Sequence, residues 1–572
     1  MEELEVTEVA RKYALANAFE FQKASSSSVV GKVISNISDS KKDMKLVMKI
    51  VNEQVNLVNG LTAKQIEEEL KKYSFEQKKV EEDKSISIQQ AIDGEVSTRF
   101  PPEPSAYPHI GHAKAAFLSS EIAKKYHGKF ILRFDDTNPE NESQDFVDAI
   151  KDGLKWLGLE YTQVFFASDY MPQMYDFALK LINDKNAYVC TCNSEKVKES
   201  RQNCKRCSCP DKSIEEQISQ WNKMINGEFD EAEAILRFFG KIDSENTAMR
   251  DPTLYRILKT THFRQMNKYV CWPTYDFEGA VLDSYLGTTH ALRSKEYELR
   301  DELYKSILEK LNLRIPYLYD FSRLNLKGTL ISKRLIKPLI ATGKVTGWND
   351  PRLPTILGLK RRGILPQAIK NYVLSFGLSK VESKPNWNAL LNENKKLLDP
   401  IAKRYFFVIN PIELIVENHP QEISHTSLKT HPTNEEFGKR ILKVNRNFFI
   451  SKNDLDSLKI DEVVRLKDLY NIQILKIQEN KVIGKFVGNQ AIEGKKLHWL
   501  PNIQGEFKDS KLIQIGDLVD DKDEFNENSL TEFKGIVEKS ATTNNTGTFV
   551  QFERVGFAIY DSENDCSFIK CE

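Results

Sequence analysis

The chain has 572 residues, 40% hydrophobic and 29% charged, and its 82 basic side chains equal its 82 acidic ones. That size predicts roughly three to five domains, and the absence of any run of about 18 apolar residues excludes a helical membrane span. A neutral chain binds a polyanion only where its basic residues are gathered on one face.

The N-terminus, MEELEVTEVARKY, is acidic and amphipathic, unlike a signal peptide. Up to about residue 90 the pattern predicts helices. Met44, Val47, Met48, Val51, Val55 and Val58 recur at helical spacing, Asn59-Gly60 supplies a stop, and Thr62 with Gln65 fits a capping box for the next helix. The charge run at 76–85 is expected to be a linker; a solvated helix face fits it equally well.

Near Glu95 the texture changes. Residues 95–100 alternate like a strand, 111–126 suit a helix, 129–134 a second strand, and 143–157 a helix with Phe146, Ile150, Leu154 and Leu157 on one side. That order predicts a parallel α/β sheet. Five of the eight cysteines fall between Cys190 and Cys209. Such clustering suggests a metal rather than a disulfide framework, and hence a reducing cytoplasm. Cys190, Cys192, Cys204 and Cys207 are the expected zinc ligands, with Cys209 as an alternate; free surface thiols are the competing reading. Helices are predicted again over about 330–400. After that come short β-rich segments, such as 472–477, 481–487 and 548–552, which predict antiparallel barrels.

The stretch PPEPSAYPHIGHAKAAF, 101–117, carries the first chemical signal. Its prolines hold the chain extended as it leaves a strand. Gly111 leaves the backbone open to a ligand, and the helix that follows turns its free N–H groups and positive dipole end to the same place. His109 and His112 there can stabilise a phosphate undergoing displacement. A capped helix with incidental histidines suits the spacing as well.

His109-Ile110-Gly111-His112, between a strand and a helix, resembles the first signature of class I aminoacyl-tRNA synthetases. SRLNLKGTLISKRLIKPL, 322–339, resembles their second, a mobile lysine-bearing loop, in its glutamyl/glutaminyl version. The two stand in the right order, about 220 residues apart. LRFDDTNPE, MRDPTLYRI, the long segment from Trp272 to Tyr304 and GWNDPRLPTILGLKRRGI are similar to the archaeal/eukaryotic branch of that subgroup.

The resemblance implies a multidomain α/β and β architecture. It comprises an N-terminal helical extension (1–92), a Rossmann catalytic domain (93–320) with an acceptor-arm insert at about 188–270, a signature loop and helical stem-contact domain (321–400), and anticodon-binding β-barrels (401–572). It implies ATP as substrate with Mg²⁺, a catalytic set of His109, His112 and Lys333, and ATP contacts from Pro102, Glu103, Pro104, Gly111, His112, Arg323, Leu324, Ile331, Ser332 and Lys333. For the amino acid it implies Arg99, Asp135, Tyr275 and Arg293. Glutaminyl members carry cysteine where Arg293 stands, so a second guanidinium selects glutamate over glutamine. The expected partners are L-glutamate, ATP and tRNA-Glu, with tRNA-Gln an open second acceptor, and the chain is expected to be a monomer. A glutaminyl enzyme and a non-catalytic tRNA-binding scaffold are the rival readings; Arg293 opposes the first, and intact signatures oppose the second. Basic residues at 333–337, 360–362 and 439–446 are expected to form one face along the tRNA.

Overall fold

Four helices fill the N-terminal unit: α1 (Glu3–Phe21), α2 (Ser26–Asn36), α3 (Met44–Asn59) and α4 (Ala63–Leu70). The capping box forms as expected, with Gln65 N–H donating to Thr62 Oγ1 and Thr62 N–H to Gln65 Oε1 at 2.9 Å. The buried face of α3 is rotated from the expected one. It uses Val47, Ile50, Val51, Gln54, Val55 and Val58, while Met44 and Met48 are 37% and 40% exposed. Valines three and four apart define a stripe, and methionines at its margin fit either side.

The computed structural model describes residues 3–21, 24–37, 43–70, 72–73, 88–382, 384–543, 545–561 and 566–572, divided into the units Met1–Ser85 and Ile86–Glu572. The charge run at 76–85 lies outside the described residues.

In the larger unit, β1 (Ser97–Phe100), β2 (Lys129–Phe134) and β3 (Gln163–Phe166) form a parallel sheet in that order. Helix α5 (Ile110–Lys125) crosses between β1 and β2. Helix Gln144–Trp156 crosses between β2 and β3 and buries Val147, Ile150, Gly153 and Leu154. Phe146, expected on that face, is only half-buried, because its ring turns toward the second signature.

The chain then enters an antiparallel sheet of β4 (Ala187–Cys190), β5 (Ile235–Phe238), β6 (Thr253–Ile257) and β7 (Cys271–Pro273), built on a core that includes Trp221 and Trp272. It returns as a parallel pair, β8 (His290–Ser294) and β9 (Tyr317–Phe321). This pair abuts β1, since Thr289 N–H donates to Ser97 O at 2.9 Å and Arg99 Nη1 to Leu292 O at 2.7 Å. Alternating parallel strands and helices of this kind put ligands at the carboxyl ends of the strands.

The tail folds into two seven-stranded, barrel-like sheets. One uses strands between 411 and 501; the other joins strands at 403–409 to strands between 507 and 570. Antiparallel pairs dominate, as expected, but four ladders are parallel, such as Pro411–Glu417 with Lys481–Gly488. Those partners lie far apart in sequence, beyond the reach of local alternation. Among the described residues, no helix is long and apolar enough to cross a membrane.

Candidate active site

The carboxyl end of β1 runs into the proline stretch, and α5 begins at His109, its N-cap. His109 Nδ1 accepts from Gly111 N–H at 3.1 Å, and His112 Nδ1 accepts from His109 N–H at 3.3 Å. The two rings stack with centroids 3.9 Å apart. Burial, then His112 and Arg323, hold His109 well below the ordinary imidazole range. Burial and Arg323 push His112 down to about 4. Both rings are therefore neutral near pH 7. A neutral ring that accepts at Nδ1 carries its proton on Nε2, so the bonding assigns each histidine one donor for a ligand. Gly111 has a further role besides ligand access. A Cβ there would lie 2.9 Å from His109 Cε1, so a side chain would displace the ring.

The second signature meets this stretch. Lys333 opens the helix Lys333–Ala341, its Nζ donates to Ser105 O, and it lies 4.6 Å from the Phe146 ring centroid. Pro102 and Pro104 accept through their carbonyls from Asp135 N–H (3.1 Å) and Ser143 N–H (3.2 Å), and Glu103 accepts from Asn138 Nδ2 at 3.3 Å. Arg323 is exposed beside Glu296 at 3.3 Å, and Ser332 is exposed at the N-cap of the lysine's helix. Ile331 is half-buried. Leu324 packs its side chain into the core with Phe117, so only its backbone faces Gly111. The segment at 354–356 braces the first signature through Ile110 N–H to Pro354 O (2.9 Å) and Ile356 N–H to Pro108 O (2.8 Å).

A second set of side chains lies under β1 and β8. Arg99 Nε donates to Asp283 Oδ1 at 2.8 Å, and Arg133 Nη1 to the same oxygen at 2.7 Å. Arg133 also forks onto Asp135, with Nε to Oδ1 at 2.6 Å and Nη2 to Oδ2 at 3.2 Å. Burial pushes Asp283 upward, but the two arginines outweigh it and hold this carboxyl below its usual range. Tyr304 Oη completes the set by donating to Asp283 Oδ2 at 2.9 Å. Arg293 is 4% exposed, donates from Nη1 to Asp301 Oδ1 at 3.0 Å, and leaves Nε buried without a hydrogen-bond partner among the described residues. The rings of Tyr304, Tyr297 and Tyr275 surround it, with centroids 5.1, 5.3 and 5.9 Å from Cζ. Burial raises the Tyr275 hydroxyl, and Arg293 and Arg99 pull it back. Tyr275 is thus within electrostatic reach of Arg99, Asp135 and Arg293, and Asp135 of Arg99. Sequence reasoning missed Arg133, Asp283, Tyr297 and Tyr304. The only cue was periodicity, with Arg133 in strand β2 and Asp283 a charge inside an apolar helix.

The cysteines converge as well, with one exchange. Cys190, Cys192, Cys207 and Cys209 bring their sulfurs within 4.8 Å of one another, so Cys209 replaces the expected Cys204. Cys204 sits in the turn between the two pairs at φ +52° and stands outside the cluster. The expected basic face also loses members. Arg362 is buried against Trp387, 4.6 Å from its ring centroid; Arg361 pairs with Asp561 at 3.1 Å; Arg440 is buried on Glu538 at 2.9 Å. Lys360, Arg334, Lys337, Lys439, Lys443 and Arg446 remain exposed. Arg206, in the loop between the two cysteine pairs, is tied to Asp251 at 2.7 Å.

Paired neutral histidines and a lysine thus meet at the carboxyl end of a parallel sheet, above a pocket of arginines, the arrangement expected of a class I tRNA synthetase. Residues 95–400 match the family described as tRNA synthetases class I (E and Q), catalytic domain, and residues 402–489 and 496–561 match its two anti-codon binding domains. The chain belongs to this family. It is 41% identical to a glutamate–tRNA ligase of Nitrosopumilus maritimus, with 99% of each chain covered. It is 38% identical to that of Pyrococcus furiosus over 98% of each, and 35% identical to that of Korarchaeum cryptofilum over 99% of each.

Proposed function

We propose that this protein attaches L-glutamate to the 3′ end of tRNA-Glu at the expense of ATP, through a glutamyl-adenylate. The observation that carries the choice of amino acid is Arg293: a buried guanidinium with an unpaired nitrogen, ringed by tyrosines beside Arg99. A side-chain carboxylate pairs with it, whereas an amide leaves it underpaired. Asp135 is suited to receive the α-ammonium. The α-carboxylate then attacks the α-phosphorus of ATP, and pyrophosphate departs. The Nε2–H groups of His109 and His112 donate to the phosphate oxygens, and Lys333 follows the leaving charge. Mg²⁺, when bound, neutralises charge on the phosphates. In the second step the terminal ribose hydroxyl of tRNA attacks the activated carbonyl, and AMP leaves. No side chain needs to act as a nucleophile.

The cysteine set suits structural zinc. Sulfurs of Cys190 and Cys207, and of Cys192 and Cys209, lie 3.8 Å apart. A tetrahedron with zinc–sulfur bonds of about 2.3 Å has edges of about 3.8 Å. The eight cysteines, all free among the described residues, also suit a reducing cytoplasm.

Pyrophosphate exchange tests the activation step. With tRNA-Glu present, exchange should depend on glutamate and not respond to glutamine. Exchange driven equally by glutamine would overturn the assignment of Arg293.

A further inference from the structure

Arg237 is fully buried, yet its guanidinium is mostly unsatisfied. Nε donates to Asp251 O at 2.9 Å, while Nη1 and Nη2 are buried with no hydrogen-bond partner among the described residues. A guanidinium offers its donors in a rigid fork, and burying four of its N–H bonds unmade is costly. An acceptor facing them would relieve that cost.

The register identifies it. On the β4–β5 pair Tyr188 stands opposite Arg237, and Cys190 stands opposite Ile235. Cys190 is two residues from Tyr188, so it shares that face and is the diagonal neighbour of Arg237. The guanidinium also lies 5.6 Å from the Tyr188 ring centroid, which holds it along the same face. Solvent anions and nucleic-acid phosphates are excluded, because Arg237 has no exposure. Four thiolates around a divalent ion carry a net charge of −2, and Cys190, one of the two buried members of that set, is the one the register places diagonal to Arg237.

We propose that Arg237 is the charge-compensating donor of the four-cysteine metal site, giving N–H···S bonds to Cys190 once the metal is bound. The inference rests on the zinc reading above. Arg237 is a positioning residue: it touches a ligand sulfur rather than the metal. Partners of this kind set metal affinity and the electron density on the ligating atom.

The test uses the full-length protein and four chains: wild type, Arg237→Met, Arg237→Lys and Arg237→Gln. Zinc content is measured by elemental analysis and affinity by competition with a chromophoric chelator. The sulfur-to-cobalt charge-transfer band is recorded after Co²⁺ substitution, and folding is checked by circular dichroism. Wild type should hold about one zinc. Arg237→Met should bind it ~10–100-fold more weakly and show a shifted band, with Arg237→Lys between the two. Wild-type affinity and an unshifted band in a folded Arg237→Met protein would overturn the role of Arg237 and leave the zinc site standing. A wild-type chain that binds no zinc would overturn both. Should Arg237→Met fail to fold, the lysine and glutamine variants carry the comparison: tighter binding by lysine upholds the proposal, and equal binding overturns it.

Discussion

Replacing Arg293 with cysteine removes a buried guanidinium that has a nitrogen to spare in the tyrosine-ringed pocket, and the structure allows the loss to be sized. Arg293 is 4% exposed and keeps a single ion pair, to Asp301, so a substrate carboxylate would meet it largely out of water. Truncating one partner of such a pair costs about 2–5 kcal/mol. At about 1.36 kcal/mol per decade, that is a loss of roughly 30- to 5,000-fold in kcat/KM for glutamate. The KM for ATP should stay near its wild-type value. Asp301 complicates the single variant. Burial and the neighbouring Asp320 already raise its carboxyl to about 6, with Arg293 pulling it down. Without Arg293 it rises further and protonates, which spares the fold an unpaired charge. The double variant Arg293→Cys/Asp301→Asn should therefore fold as well as the single one and show the same glutamate defect. The assay is steady-state charging of tRNA-Glu across a glutamate titration. Undiminished kcat/KM for glutamate in the single variant would refute the reasoning.

Lys333→Ala should slow adenylate formation by ~10²–10³-fold while tRNA affinity holds; equal losses in single-turnover kinetics and filter binding would make the loop structural. Gly111→Ala should match His109→Ala in that same assay, because the new Cβ displaces the His109 ring; wild-type turnover would contradict this. His112 bears on acid stability. Its folded value of about 4 lies below the unfolded value of about 6.5. The unfolded chain therefore binds more protons between those values, and stability contributed by this site falls as pH drops from about 6.5 to about 4. His112→Asn should flatten that part of the denaturation-versus-pH curve, and an unchanged slope would refute the sign. Cys207→Ser/Cys209→Ser should lose zinc by elemental analysis, whereas Cys204→Ser should keep it; the reverse would return Cys204 to the site.

The first signature was legible because all its parts are local. A strand end, prolines, a capping histidine and a helix occupy about twenty consecutive residues, and α5 begins within one residue of its expected start. The floor of the pocket was not legible. Asp283 meets Arg99 and Arg133 across 184 and 150 residues, and no local period reports such a junction. Charge runs in the sequence do not all lie at the surface. Arg362 and Arg440 carry their charge inward, onto Trp387 and Glu538, while neighbours such as Lys360, Lys439 and Arg446 stay exposed for a polyanion. The cysteine spacing was ambiguous in the same way. Five candidates satisfied the count, and only the folded positions of the sulfurs separate Cys204 from the other four.

The barrels also proved less separable than their texture suggested. Leu518 N–H donates to Gly328 O at 2.7 Å, and Leu518 and Val519 pack with Leu330, Ile336, Val345 and Leu353. A Cβ on Gly328 would collide with Asp517 at 2.4 Å, and its φ of +74° independently favours glycine. Removing residues beyond 400 would strip this support from the second signature as well as removing the anticodon domains, so variants in the full chain separate the two effects better than truncation.

The central claim is that this chain joins glutamate, and not glutamine, to tRNA. Labelled glutamate and glutamine, each assayed against separate tRNA-Glu and tRNA-Gln transcripts, test it directly. Glutamate should be transferred to tRNA-Glu, its transfer to tRNA-Gln defining how broad the acceptor range is, and glutamine should be transferred to neither. Glutamine charging at a rate comparable to glutamate, or no charging of tRNA-Glu with glutamate, would contradict the account.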